Sequence, residues 1–198
     1  MQVSMHGMPF RGIRRRLRAT IGLLVAATLC LAFAHRPLTA APMPQPLDVE
    51  GAKGRETGLP VPRFVSVRSR EARLRIGPSL DYGTQWVYTV PGLPMEILAE
   101  YGNWRQVRDC DGVSGWMHRA LLSSKRTAVV GPWHASTVSL RETPKSDARV
   151  VAKLEARVRL SVHGCDGTWC NVEVTGHDIN GFIRQSALWG VYPNENIR

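Results

Sequence analysis

The chain has 198 residues, 43% of them hydrophobic, and a formal net charge of +10, enough for one ordinary domain or two small ones. The charge is front-loaded: residues 1–40 hold six arginines (Arg11, Arg14, Arg15, Arg16, Arg18, Arg36), no lysine and no acid, leaving 20 Lys plus Arg against 16 Asp plus Glu in residues 41–198. That residual +4, with no long basic run, argues against phosphate tracking, and no nucleic-acid partner is expected.

The first predicted element is an export signal over residues 1–34. "RGIRRRLRAT" is a basic n-region, and the largely apolar 14-residue run from Ile21 to Ala34 forms an h-region. Ala32-Phe33-Ala34 fits the small-x-small cleavage rule, with Leu38-Thr39-Ala40 as a second candidate. As a helix the run is about 21 Å long, short of the roughly 30 Å a membrane core requires. Membrane contact is therefore expected only if the signal stays uncleaved. Leu29 before Cys30 argues against a lipoprotein, and Arg15-Arg16 is a weak twin-arginine hint. The expected address is the periplasm or the exterior. Residues 35–62, rich in Pro and Gly and without an apolar run, read as a flexible tether.

From Phe64 onward, short β-type runs recur between Gly, Asn and Asp: "FVSVRS", "WVYTV", "MEILAEY", "NWRQVRD", "GWMHRALLS". An internal repeat follows. Leu74-Arg75-x-x-Pro78 returns as Leu140-Arg141-x-x-Pro144, Trp104 as Trp169, Val107 as Val172, and Gly115-Trp116 as Gly181-Phe182. Two all-β units are predicted, over residues 63–125 and 132–190, with a tail at 191–198. Units this small are individually marginal, so docking of the pair is expected.

These residues resemble the bacterial SH3-like domain in tandem, over about residues 64–192. The resemblance rests on the Leu-Arg-x-x-Pro opening, the Trp after a Gly/Asn/Asp turn, and the Gly-aromatic strand followed by Leu (Leu121 or Leu122, and Leu188). "LWGVYP", Leu188 to Pro193, also looks typical of exported bacterial proteins with this layout. It implies two small five-stranded barrels, and modules that bind within the cell envelope, sometimes at peptidoglycan. In such a barrel the leucines point inward, the arginines donate to carbonyls of a neighbouring loop, and the prolines preset a turn.

Tyr82, Trp86 and Tyr88 are the candidate ligand-binding residues, with Arg75 as a possible polar contact. Trp86 and Tyr88 share one side of an extended segment, and aromatic faces suit sugar rings or extended peptide. The second unit has Ala148, Ala152 and Leu154 near the corresponding places. The competing expectation buries Trp86 and Tyr88 between the units. Trp104, Trp116, Trp169 and Phe182 recur and are expected to pack the core or rim. Trp189 and Tyr192 are expected to fold back over the second barrel's end. The expected partner is a cell-wall glycan or peptide. The alternative is a periplasmic protein that offers a peptide or an edge strand.

Cys165 and Cys170 flank "DGTW". A four-residue loop would set them at bridging distance, whereas a two-residue Asp166-Gly167 turn would leave them diagonal. Zinc held by His163, Cys165, Cys170 and His177 is an alternative with non-standard spacing, so no metal or other cofactor is expected. Cys110 and His118 lack a third orienting group, and no metalloprotease, phosphate-loop, nucleophile-elbow or paired-carboxylate signature is present. The expectation is a non-enzymatic protein.

Overall fold

The structure, a computed structural model, describes residues 52–198. The expected export signal, Cys30 and the expected tether up to residue 51 lie outside the described residues. Among those described, no helix is long and apolar enough to cross a membrane.

The all-β expectation holds. The first sheet contains β1 (Arg63–Val67), β2 (Ala72–Arg75), β3 (Thr84–Tyr88), β4 (Pro94–Tyr101), β5 (Trp104–Arg108), β6 (Ser114–His118) and β7 (Leu122–Ser123), in the order β3-β2-β6-β5-β4-β1-β7. The second contains β8 (Thr127–Val130), β9 (Val138–Arg141), β10 (Val150–Leu154), β11 (Arg159–Asp166), β12 (Trp169–Val174), β13 (Asn180–Arg184) and β14 (Leu188–Trp189). Its order is β10-β9-β13-β12-β11-β8-β14, the same path strand for strand. A last strand, β15 (Asn196–Ile197), pairs with β11. Short pieces such as β7, β14 and β15 lift the strand number above the five that the resemblance implies. A 3-10 turn (Arg119–Leu121 or Gln185–Ala187) leads into the last short strand of each path.

The two interiors are laid out alike. Leu74, Met95, Val107, Met117 and Leu122 fill the first core, and Leu140, Leu160, Val172, Ile183 and Leu188 hold the matching places in the second. The opening motif and the Gly-aromatic motif explain each other. A Cβ on Gly115 would stand 2.8 Å from the Arg75 carbonyl oxygen, and one on Gly181 would stand 2.6 Å from that of Arg141. Only glycine lets β6 cross β2, and β13 cross β9, this closely. The arginines then brace the loop after the motif: Arg75 Nη1 donates to the Tyr82 carbonyl at 2.6 Å, and Arg141 Nη1 to the Ala148 carbonyl at 2.6 Å.

Glu100 opposite Arg105 in β4–β5 corresponds to Cys165 opposite Cys170 in β11–β12. One hairpin is closed by an ion pair, with Arg105 Nε 3.4 Å from Glu100 Oε1, and the other by a disulfide with an S–S distance of 2.04 Å. The register sets Cys165 directly opposite Cys170, with Gly167 and Thr168 at the turn, and the disulfide consumes both sulfurs that a zinc site would need as thiolates. Closing so short a loop contributes about 2 kcal/mol in the chain-entropy model. Urea unfolding with and without reductant is expected to differ by about that amount, with the reduced chain still folded at low urea.

Each of these hairpins carries a terminal segment. On the second barrel it is β15. On the first it is residues 52–60, part of what the sequence reads as tether. The strap is closed by a Lys53–Pro60 bridge, and Glu100 accepts from the Glu56 N–H, the Thr57 N–H and the Thr57 hydroxyl. Polar composition misleads here because a single buried carboxylate takes two of the strap's backbone donors, and others are met within the strap itself.

Trp189 and Tyr192 likewise depart from expectation. Leu188 points into the second core, so alternation turns Trp189 outward, and both aromatic rings meet the first barrel. Phe64 lies 5.3 Å from the Trp189 ring and 4.7 Å from the Tyr192 ring, while the Tyr192 hydroxyl donates to Glu96 Oε1 at 3.0 Å. Burial first, then Glu96, raises the Tyr192 pKa. The seam is completed by Arg159 donating to the Pro91 carbonyl at 2.9 Å and by a two-pronged Arg157–Asp111 pair at 2.7 Å. That pair is half exposed and contributes little, so the aromatic cluster is the main adhesive.

Candidate functional site

The loop after each opening motif joins β2 to β3, or β9 to β10, and the two loops differ in chemistry at matched positions. The first carries Ile76, Leu80 and Tyr82 where the second carries Glu142, Ser146 and Ala148. Leu80 is 74% exposed, Ile76 65% and Tyr82 45%. The Tyr82 ring lies over Gly77, where a Cβ would sit 2.6 Å from the ring; the second loop has Thr143 there and needs no such space beside Ala148. The first loop is further held by Ser79 Oγ donating to Asp81 Oδ2 at 2.8 Å and by the Asp81 N–H donating to Ser79 Oγ at 3.2 Å.

This loop forms one wall of a groove of about 590 Å³, lined by Pro78, Ser79, Leu80, Asp81, Asn103, Trp104 and His118. Trp104 opens β5, directly across from His118 at the end of β6, and the two rings meet edge to face at 5.5 Å. Trp169 and Arg184 are the matching pair in the second barrel. There the Arg184 guanidinium lies 4.2 Å from the Trp169 ring centre, and its Nη2 donates to Ser146 Oγ at 2.5 Å. The second barrel thus closes with its own arginine the groove that His118 and Leu80 leave open in the first.

The residues singled out from the sequence do not converge on one point. Trp86 is 56% exposed on β3, the edge strand of the first sheet. Tyr88, two residues on, is buried in the first core, and its hydroxyl donates to Asp109 Oδ2 at 2.7 Å. Burial first, then that hydrogen bond, raises its pKa. Tyr88 therefore offers no face to a ligand, and it is not at the seam either. The reason lies in β3's pairing. Tyr88 stands opposite buried Ala72, whereas Trp86 stands beside the irregularity between Leu74 and Arg75. Equal parity along the strand does not give equal burial there. Arg75 is partly buried and holds the loop carbonyl of Tyr82. Leu80, Trp104 and His118 were not among the candidates, although Leu80 against Ser146 and His118 against Arg184 were signals available from the repeat.

Cys110 is a free thiol in the turn before β6, and His118 is at that strand's other end. Burial first, then Asp111, pushes the thiol's pKa up, while Arg157 pulls it down.

Two like barrels, each carrying Leu-Arg on its second strand and closed through a 3-10 turn, with a groove beside the loop after the first motif, define a tandem SH3-like protein. The profile of the bacterial SH3 domain matches residues 68–124 and again 134–190, more than half of the chain. The chain belongs to that family. Similar solved structures include NlpC2 from Trichomonas vaginalis, 14% identical with a TM-score of 0.30, covering 65% of this chain and 48% of that one. An NlpC/P60 family protein from Bacillus cereus is 11% identical with a TM-score of 0.28, covering 64% of this chain and 55% of that one. The chain thus spans about half the length of these two. No curated protein matches it.

Proposed function

We propose that the chain is an exported, non-enzymatic binding module of the bacterial cell envelope and that its first barrel binds peptidoglycan. Family membership supports the class, since bacterial SH3 domains typically serve as binding modules, and the apolar run from Ile21 to Ala34 supports the address. The observation that carries the reading is the difference between the two matched grooves: one is apolar-rimmed and open, the other is filled by its own arginine. Within the groove Leu80 and Trp104 supply apolar faces for sugar rings or peptide and Asn103 and His118 supply polar contacts, while Tyr82 and Trp86 offer exposed aromatic faces outside it. The second barrel acts mainly as a structural partner.

Leu80→Ser combined with His118→Arg transplants the second barrel's closure onto the first. Co-sedimentation with purified, protein-free sacculi is expected to fall at least tenfold, with the unfolding midpoint unchanged. Trp86→Ala is expected to weaken retention by a smaller factor. Unchanged retention in both variants would overturn the reading. A second reading, a periplasmic adaptor, draws on β3, whose outer edge has no partner strand among the described residues and could take one by strand addition. It predicts no co-sedimentation with protein-free sacculi by the wild-type chain.

A further inference from the structure

The second barrel holds a piece of its own chain in a cleft whose counterpart recurs in the first. Its tail, Tyr192 to Glu195, lies in a cleft bounded by Arg126, the Gln185–Ala187 turn and Gly190. Arg126 grips the Glu195 carboxylate with two donors, at 2.7 and 3.0 Å. Gln185 Nε2 donates to the carbonyls of Tyr192 and Glu195, at 2.6 and 3.0 Å. A stretch of peptide with one carboxylate is thus held by a cation just before β8 and a donor on the 3-10 turn.

The first barrel has the matching cleft, edged by Leu59 of the strap and, among the described residues, holding no segment like Tyr192–Glu195. Arg63, Arg119 and Ser124 stand where Arg126, Gln185 and Gly190 stand in the second barrel, and they line a cleft of about 470 Å³. Arg68 and Arg105 line it too, at the positions of Gly131 and Cys170. The cleft adjoins the Leu80–Trp104 groove, sharing Asn103 and His118 with it.

Its charge is only partly answered from within. Arg63 donates to Glu100 at 2.6 Å and to the Pro60 carbonyl at 3.2 Å, and Arg105 also sits on Glu100. Among the described residues Arg119 makes one side-chain bond, from Nε to Asn103 Oδ1 at 2.9 Å, which leaves its outer nitrogens without a partner there. Among the described residues, neither Arg68 nor Arg119 is in an ion pair. Where the second barrel has a neutral glutamine and a glycine, the first has two guanidinium groups.

We infer that this cleft binds a carboxylate-bearing peptide, with Arg119 and Arg68 on the carboxylate, while the uncharged part of the ligand lies along the Leu80–Trp104 groove. The inference deepens the proposed function and rests on it for the ligand's source, the stem peptides of the wall. A glycan strand alone would use the apolar groove and leave the arginines idle. A stem peptide supplies the carboxylates that the arginines answer.

The test is a calorimetric titration of the full chain with a blocked pentapeptide of the tail sequence, Tyr-Pro-Asn-Glu-Asn. One-to-one binding is expected, weakening with added salt and falling about tenfold when the peptide's Glu is replaced by Gln or when the chain carries Arg68→Ala with Arg119→Ala. Equal binding of the Glu and Gln peptides, or no effect of the arginine pair, would overturn it. Sacculi separate this inference from the reading beneath it. Retention of the wild-type chain that the double variant does not reduce removes the inference and leaves wall binding standing. Charge-dependent peptide binding without sacculus retention removes wall binding and leaves the cleft standing.

Discussion

Glu100→Gln is expected to cost the chain about 3 kcal/mol at neutral pH and to abolish most of its sensitivity to mild acid. The carboxylate's side chain is fully buried and saturated with donors. Oε1 accepts from Arg63 at 2.6 Å and from the Thr57 hydroxyl at 2.8 Å, and Oε2 accepts from the Thr57 and Glu56 N–H groups at 2.8 and 2.9 Å. Burial pushes its pKa up, but the bonds from Arg63, Thr57 and Glu56 together outweigh burial and hold it at about 2, below the ordinary 4.5. A depressed folded pKa contributes stability that is fully present above about pH 4.5 and drains away as pH falls toward about 2. Urea unfolding at a series of pH values between 7 and 2 reads both effects. The wild-type chain loses stability across that window, and the variant, already lower at pH 7, changes little. The same variant releases the strap, so limited trypsin digestion at Lys53 and Arg55 should quicken. Identical curves for the two proteins would show that Glu100 does not hold the strap.

What the sequence revealed, and what it hid, follows from the range of the interactions involved. The Leu-Arg openings and Gly-aromatic strands were readable because each is a local pattern, and their repetition removed the ambiguity any one copy has. The disulfide was within reach for the same reason: two cysteines five apart can meet only in a small set of turns. The strap was hidden because its order depends on a carboxylate more than 40 positions away in sequence, and no composition rule registers such a partner. Trp189 and Tyr192 were identified as packing residues, but their target was another barrel, and nothing local distinguishes a ring that caps its own core from one that reaches a neighbour. At the candidate site, the exposed aromatics Tyr82 and Trp86 could be picked out by type. The groove itself was hidden because it is defined by what fills its twin, Arg184 over Trp169, which only the folded pair displays. Tyr88 was misjudged because a two-residue period assigns sides of a strand but not depth, and β3 runs from an exposed irregularity into the core.

The seam leads to the other large expected effect. Phe64 points away from the first core, on the face of β1 opposite Val65 and Val67, yet it is only 7% exposed because Trp189 and Tyr192 cover it. Glu96 on the adjacent strand β4 is 4% exposed, and its carboxylate is shared by Arg108 and the Tyr192 hydroxyl. Phe64→Ala should leave a hole against both rings and cost about 3 kcal/mol, near the low end for deleting a buried phenylalanine, because one side of the pocket is open to solvent. Two barrels of about 60 residues each bury modest cores, so much of their mutual stability passes through this contact. Calorimetry of the wild-type chain is expected to show one cooperative transition. In the variant the transition should split or broaden, with Trp189 fluorescence becoming solvent-like before the second core melts. Tyr192→Phe keeps the ring and removes only the hydroxyl's bond to Glu96, which retains Arg108 as a partner, so it should cost about 1 kcal/mol and leave the melt single. If Phe64→Ala melted as one transition within 1 kcal/mol of wild type, the barrels would be coupled chiefly through the Arg157–Asp111 and Arg159–Pro91 contacts, and the aromatic cluster would be a consequence of docking rather than its cause.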